Sequence, residues 1–169
     1  MLIVNCVFYD NSTFGRGGAI DHGGTSGFSR VSNSIAWQNT AGSSYPNFFA
    51  VEARNCLVEG GYEAGSSILS AEPLFLNSER GDFRLNALSP AINAGSINHL
   101  PGGSLTDFAG NDRVLGTQVD LGVFEGGKLT PVIESPAHFE IVSPGQAAYL
   151  LTWAWPGARD PDAGQLRVE

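Results

Sequence analysis

Asn5-Cys-Val-Phe-Tyr-Asp-Asn11, Asn33-Ser-Ile-Ala-Trp-Gln-Asn39 and Asn55-Cys-Leu-Val-Glu-Gly-Gly61 are three copies of one seven-residue pattern, beginning 28 and 22 residues apart. Asn leads, a small residue follows, then a branched aliphatic, a mostly apolar residue, and a turn closing in Asn or Gly. Recurrence at about 20–30 residues with short strand-like runs marks a solenoid, whose coils cannot bury an apolar face alone and therefore stack. Helix is disfavoured throughout, because Gly, Asn, Ser and Pro interrupt each window before a helical period can establish itself.

Asn suits a repeated turn because it tolerates the left-handed region and its side chain bonds to nearby backbone. Stacked amides can also bond to one another along the solenoid axis. Asn5, Asn33 and Asn55 are therefore read as structural ladder residues. Cys6 and Cys56 occupy equivalent positions, with Ser34 between them. Two rungs separate them by about 9.6 Å, beyond the roughly 7 Å that a disulfide spans, so both read as small apolar fillers. Taking Phe8 as a core residue, strand alternation expects Leu2, Val4 and Cys6 inside with it. The second copy conflicts with this, since Ile35 and Trp37 share the face opposite Ser32, Ser34 and Ala36.

Downstream, five short motifs follow in order: Glu72-Pro-Leu-Phe75, Gly81-Asp-Phe-Arg-Leu85, Ser89-Pro-Ala-Ile-Asn-Ala-Gly95, Asp107-Phe-Ala-Gly-Asn-Asp-Arg113 and Val119-Asp-Leu-Gly-Val-Phe-Glu125. Their order and approximate spacing resemble the closing segment of large bacterial right-handed parallel β-helix proteins carrying the choice-of-anchor Q domain. Phe8-x-x-Asn11 with Gly17-Gly-Ala-Ile20 is also similar to the repeat of polymorphic outer-membrane proteins, another exported β-helix family. The resemblance implies an all-β, pectin-lyase-like solenoid of coils over residues 1–127, and an extracellular or cell-surface location. In that family Asp-x-x-Gly-x-x-Arg and Asp-x-Gly-x-x-Glu stretches belong to the terminal coils. Asp107, Arg113, Asp120 and Glu125 are accordingly read as a structural clasp, Arg113 bridging carboxylates of neighbouring turns. Phe124 stands where the family commonly has Tyr, and Val123 where it has Ala.

After a linker at 128–131, residues 132–169 change character. Val132-Ile-Glu-Ser-Pro136, Ala148-Tyr-Leu-Leu-Thr-Trp153 and Asp160-Pro-Asp-Ala-Gly164 resemble the opening strands of a bacterial fibronectin-type-III or immunoglobulin-like module. Such a sandwich needs about seven strands in roughly 100 residues, so an incomplete module is expected. Met1-Leu-Ile-Val lacks the basic region of a signal peptide and reads as the inside of a strand. Upstream coils and downstream sandwich strands of the same native chain are the expected neighbours.

A net charge of −8 with a single lysine, Lys128, argues against nucleic acid or an anionic membrane surface as partner. No run approaches the roughly 18 apolar residues of a transmembrane helix. β-Helix lyases gather several Asp residues on adjacent rungs around Ca²⁺, which takes about 6–8 oxygen ligands. Here the acids of the repeat region are Asp10, Asp21, Glu52, Glu59 and Glu63, and none recurs one coil after Asp10 or Asp21. Asp10 with Asp21 is a loose candidate for a hydrolase carboxylate pair. No resident cofactor and no catalytic residue are expected; Asp160 and Asp162, before Gly164, are a weak Ca²⁺ candidate. Two functions remain. One is a non-catalytic structural or adhesive module with polysaccharide or a host or cell-surface protein as candidate partner. The other is the C-terminal end of a secreted polysaccharide lyase or glycoside hydrolase whose catalytic coils lie upstream.

Overall fold

The computed structural model describes residues 1–23, 29–42, 44–103, 106–126, 149–152 and 165–168. By internal contacts the chain divides into two units, Met1–Lys128 and Leu129–Glu169. Regular structure among the described residues is strand, apart from two single 3-10 turns at Ser78–Arg80 and Ile97–His99.

The first unit is organised by a curled parallel sheet. A first pass of the chain supplies β1 (Leu2–Val4), β2 (Val7–Tyr9), β3 (Ser12–Thr13) and β4 (Ile20–Asp21). A second supplies β5 (Ser29–Ser32), β6 (Ile35–Trp37), β7 (Thr40–Ala41) and β8 (Phe48–Phe49). Then β9 (Val51–Val58) runs beside both β5 and β6, and β10 (Ser66–Leu69) pairs with β9. Every one of these pairings is parallel. Leu2 lies opposite Arg30 and Ser29 opposite Val51, so the sheet register steps by the same two spacings that separate the sequence copies. The next step, from Arg54 to Ser66, is much shorter. The third pass turns through residues 59–65 directly into β10, and no third-pass strand covers β7 or β8 among the described residues.

Left-handed residues make the corners. Asn5, Asn33 and Asn55 have φ of 54°, 50° and 47°, and a second set at Asp10, Gln38 and Gly60 has 53°, 56° and 73°. A left-handed residue within an otherwise extended run resets which way side chains point, and this corrects the expected register. Before the Asn corner the inner cluster takes Ile3, Val31 and Ala53; after it, Phe8, Ala36 and Val58. Leu2 is 58% exposed, and Val4 is only half-buried and outside that cluster. The conflict in the second copy disappears for a different reason: both faces of the sheet are covered. Ile35 and Leu57, with Val7 and Leu69, belong to a second core on the opposite face.

The inner core is built around Phe48, whose ring meets Phe8 edge-on at 6.1 Å and Tyr62 at 5.7 Å. The outer core is closed by the downstream motifs. β11 (Phe75–Asn77) and β12 (Asp82–Leu85) form an antiparallel pair, and Phe75 and Phe83 pack with Tyr9 at ring separations of 5.3–6.0 Å. Leu85, Ala91, Ile92 and Leu121 then cover Ile35 and Leu57. Ser89 Oγ donates to the Pro73 carbonyl at 2.6 Å and accepts from Ala91 N–H, which ties two of the sequence motifs together. The backbone of the closing segment is fastened by Leu121 N–H to Ala91 O, Gly95 N–H to Val119 O and Gly122 N–H to Asn33 O.

The leading asparagines take part in that fastening. Asn33 both donates to Ser96 O and accepts from Ser96 N–H, while Asn5 donates to Asp120 O and Asn55 to Ala94 O. Their amides bond sideways to the closing segment and not to one another. The amide-to-amide chain lies at the closing asparagines instead. Asn11 Nδ2 donates to Asn39 Oδ1, Asn39 Nδ2 to Asn47 Oδ1, and Asn47 Nδ2 to Glu59 O. Gly61 has no side-chain amide to continue the series, and Asn47 fills the place from the preceding loop. Both thiols are free, and burial pushes Cys56 up to about 11.

Gly18, from the Gly17-Gly-Ala-Ile20 motif, sits where the carbonyls of Thr40 and Pro46 occupy the space a Cβ would need. Gly18→Ala is expected to destabilise the first unit by about 1–3 kcal/mol through overpacking against rigid backbone. A urea midpoint unchanged from wild type would show that the loop yields instead.

In the second unit β13 (Tyr149–Thr152) pairs antiparallel with β14 (Gln165–Val168), Tyr149 opposite Val168. The expected linker and the Ca²⁺ candidates Asp160 and Asp162 lie outside the described residues.

Candidate functional site

Among the described residues, a buried charge cluster in the closing segment and a ledge where the stack loses its third-pass strands are the candidate sites.

The cluster brings together all four residues of the expected clasp. Asp107, Arg113, Asp120 and Glu125 are each buried, at 8%, 4%, 2% and 7% exposure. Arg113 Nε lies 3.3 Å from Glu125 Oε1, and its terminal nitrogens donate to the carbonyls of Val123, Gly122 and Asp120. The Nε–H itself makes no hydrogen bond of good geometry. Arg113 thus pairs with one carboxylate and otherwise caps backbone; it does not form paired bonds to carboxylates of successive turns. The carboxylates are spent the same way. Asp107 accepts from the N–H groups of Ala109, Asn111 and Glu125, Asp120 from those of Asn93 and Gly126, and Glu125 from that of Asp120.

Burial sets the electrostatics. It pushes Glu125 up to about 7, and the neighbouring Asp120 carboxylate pushes the same way, while Asp120 N–H and Arg113 pull down. Burial also raises Asp120 above its ordinary value and lowers Arg113. For Asp107 burial works upward, but the bonds from Glu125 N–H, Asn111 and Ala109 N–H together hold it low. A hollow of about 290 Å³ touches Asp107 and Arg113 but neither Asp120 nor Glu125. The group with a proton to exchange near neutrality therefore does not face that hollow.

The acids of the repeat region are dispersed. Glu52 lies between Arg30 and Arg54, whose guanidinium groups hold its carboxyl below the usual range. Asp21 accepts from Gly23 N–H and lies 3.7 Å from Arg16, while Asp10 stands at a left-handed corner after β2. Among the described residues no group of three or more His, Cys, Asp or Glu side chains is placed to hold a metal ion. No helix there is long and apolar enough to cross a membrane.

The ledge is a hollow of about 590 Å³ above β8, lined by Tyr45, Phe48, Phe49, Glu59, Tyr62 and Glu63 among others. It exists because the third pass takes the short route through residues 59–65. Tyr62 folds over Phe48, and its hydroxyl donates to Val51 O at 2.8 Å. The Arg16 guanidinium lies over the Phe49 ring, 3.9 Å from its centre, and the Tyr45 ring meets Phe49 edge-on at 4.9 Å. Glu59 is anchored by Gln38 N–H at 2.6 Å. Sequence reasoning singles out none of these aromatic residues, because Tyr45, Phe48 and Phe49 fall in the spacer before the third seven-residue copy and Tyr62 just after it. A usable signal is nonetheless present: the spacer from Trp37 to Val51 is far longer than the one from Val58 to Ser66.

Compared with protein-family models, curated proteins and solved structures, the chain matches none of them.

Proposed function

We propose that this chain is a non-catalytic module of an exported bacterial surface or secreted protein, built as coils of a right-handed parallel β-helix. Its role is structural or adhesive, presenting coil faces and turns to carbohydrate or to another protein. The observation that supports this reading is how the clustered charges are used. Asp107, Arg113, Asp120 and Glu125 direct most of their hydrogen bonds at the closing segment's own backbone, where they stabilise the lid over the outer core. The return of the parallel strands at the spacing of the sequence copies supports the solenoid part. The β13–β14 pair fits the opening of a sandwich module behind it.

The test is to screen the purified chain against immobilised polysaccharides and host-surface proteins, with parallel assays for unsaturated uronate and for reducing ends, with and without Ca²⁺. Retained binding without turnover is expected. Calcium-dependent uronate absorbance, or release of reducing ends, would replace the module reading with that of a lyase or hydrolase.

A further inference from the structure

We propose that the ledge above β8 is a carbohydrate subsite for a neutral saccharide, contacted through Tyr45 and Phe49 and hydrogen-bonded by Glu59 and Glu63. This rests on the carbohydrate part of the proposed function and names the place and the ligand class.

A pyranose presents an apolar face of C–H groups and a rim of hydroxyls. A site for it needs an exposed aromatic surface beside fixed hydrogen-bond acceptors in a partly open hollow. The ledge supplies each. Tyr45 is 47% exposed, a large fraction for a ring already packed on a neighbour. Phe49 is immobilised by Arg16 on one side, so the ledge loses little side-chain freedom on binding. The same hollow is lined by Glu59, held by Gln38 N–H, and by Glu63, which is exposed. Gly60 and Gly61 also line the hollow, and a Cβ at either position would meet no atom within 4 Å, so a ligand can approach the backbone closely.

Charge selects the ligand. Two carboxylates line the hollow, and the whole chain carries −8, so a uronate would be repelled where a neutral sugar is not. A peptide strand is a poorer occupant: β7 and β8 are two residues each, too short an edge to template an added strand.

The experiment is saturation-transfer NMR followed by titration, on the full chain. The probes are β-1,4-linked hexaoses of glucose, mannose and N-acetylglucosamine, and hexagalacturonate. Binding by at least one neutral hexaose is expected, with hexagalacturonate silent. Tyr45→Ala should weaken it by roughly tenfold, the scale of one lost aromatic contact, and Glu63→Gln should weaken it less. Leu88→Ala, at an exposed side chain of the closing segment, should leave it unchanged. Neutral-sugar binding that survives Tyr45→Ala would overturn the ledge while leaving the glycan-binding module intact. Preference for hexagalacturonate would also overturn the ledge. Silence of all four hexaoses would remove the subsite, and the wider polysaccharide screen then decides separately whether carbohydrate belongs in the module's function.

Discussion

Arg113→Met is expected to destabilise the closing segment by about 3–5 kcal/mol, the cost of removing one member of a buried ion pair and leaving its partners unpaired. The guanidinium is 4% exposed and serves three carbonyls together with Glu125. A thioether fills similar volume but donates nothing, so Glu125 loses its counter-charge and Gly122 O its side-chain donor, while Val123 O keeps Phe108 N–H and Asp120 O keeps Asn5 Nδ2. Because global stabilities are about 5–15 kcal/mol, the closing segment should open locally before the parallel sheet unfolds. The readout is amide hydrogen exchange at Gly95, Leu121 and Gly122, whose N–H groups fasten the segment. Their protection should drop by about a hundredfold or more. Protection close to that of wild type would show that Arg113 is not what holds the segment down.

Glu125 gives the second large effect, as a dependence on pH. Its folded-state pKa is pushed up to about 7 from an ordinary 4.5. Between these values the folded protein keeps a proton that the unfolded chain releases. The stability tied to Glu125 is therefore fully present below about pH 4.5 and is lost as pH rises through 7, a change on the order of 3 kcal/mol. Asp120, also raised, acts in the same sense. Asp107, held low, acts in the opposite sense: its contribution is present above its ordinary 3.8 and is lost only at more acidic pH. Glu125→Gln should flatten the urea midpoint between pH 4.5 and 7. An undiminished slope in that variant would assign the effect to another group. The two predictions are linked: once Arg113 is gone, Glu125 avoids the bare charge by binding a proton. The Arg113→Met penalty should therefore be smaller at pH 5 than at pH 8.

Much of the site is legible in the sequence as residue types but not as bonds. That Asp107, Arg113, Asp120 and Glu125 gather in one clasp is what the resemblance of their motifs to terminal β-helix coils implies. The use of carbonyls by Arg113 cannot be read there, because backbone acceptors carry no sequence signature. The aromatic ledge is illegible for a related reason. Tyr45, Phe49 and Tyr62 are ordinary spacer residues until the third pass is known to skip two strands.

Sequence alone determined the period. Asn tolerates the left-handed corner at low cost, so Asn5, Asn33 and Asn55 mark equivalent corners, and the spacing between them became the register of the parallel sheet. It also determined that helix would be absent as a major element among the described residues, since turn-forming residues break every window. Tertiary structure decided which side of the strands is inside. A corner resets the side-chain alternation by an amount that local pattern does not encode, so Ile3 points in where simple alternation expects Leu2 and Val4. It decided, too, that the outer face is a second core, because Ile35 and Leu57 are covered by residues 85–121. Which surface a distant segment will cover depends on three-dimensional packing, and no short-range rule contains it.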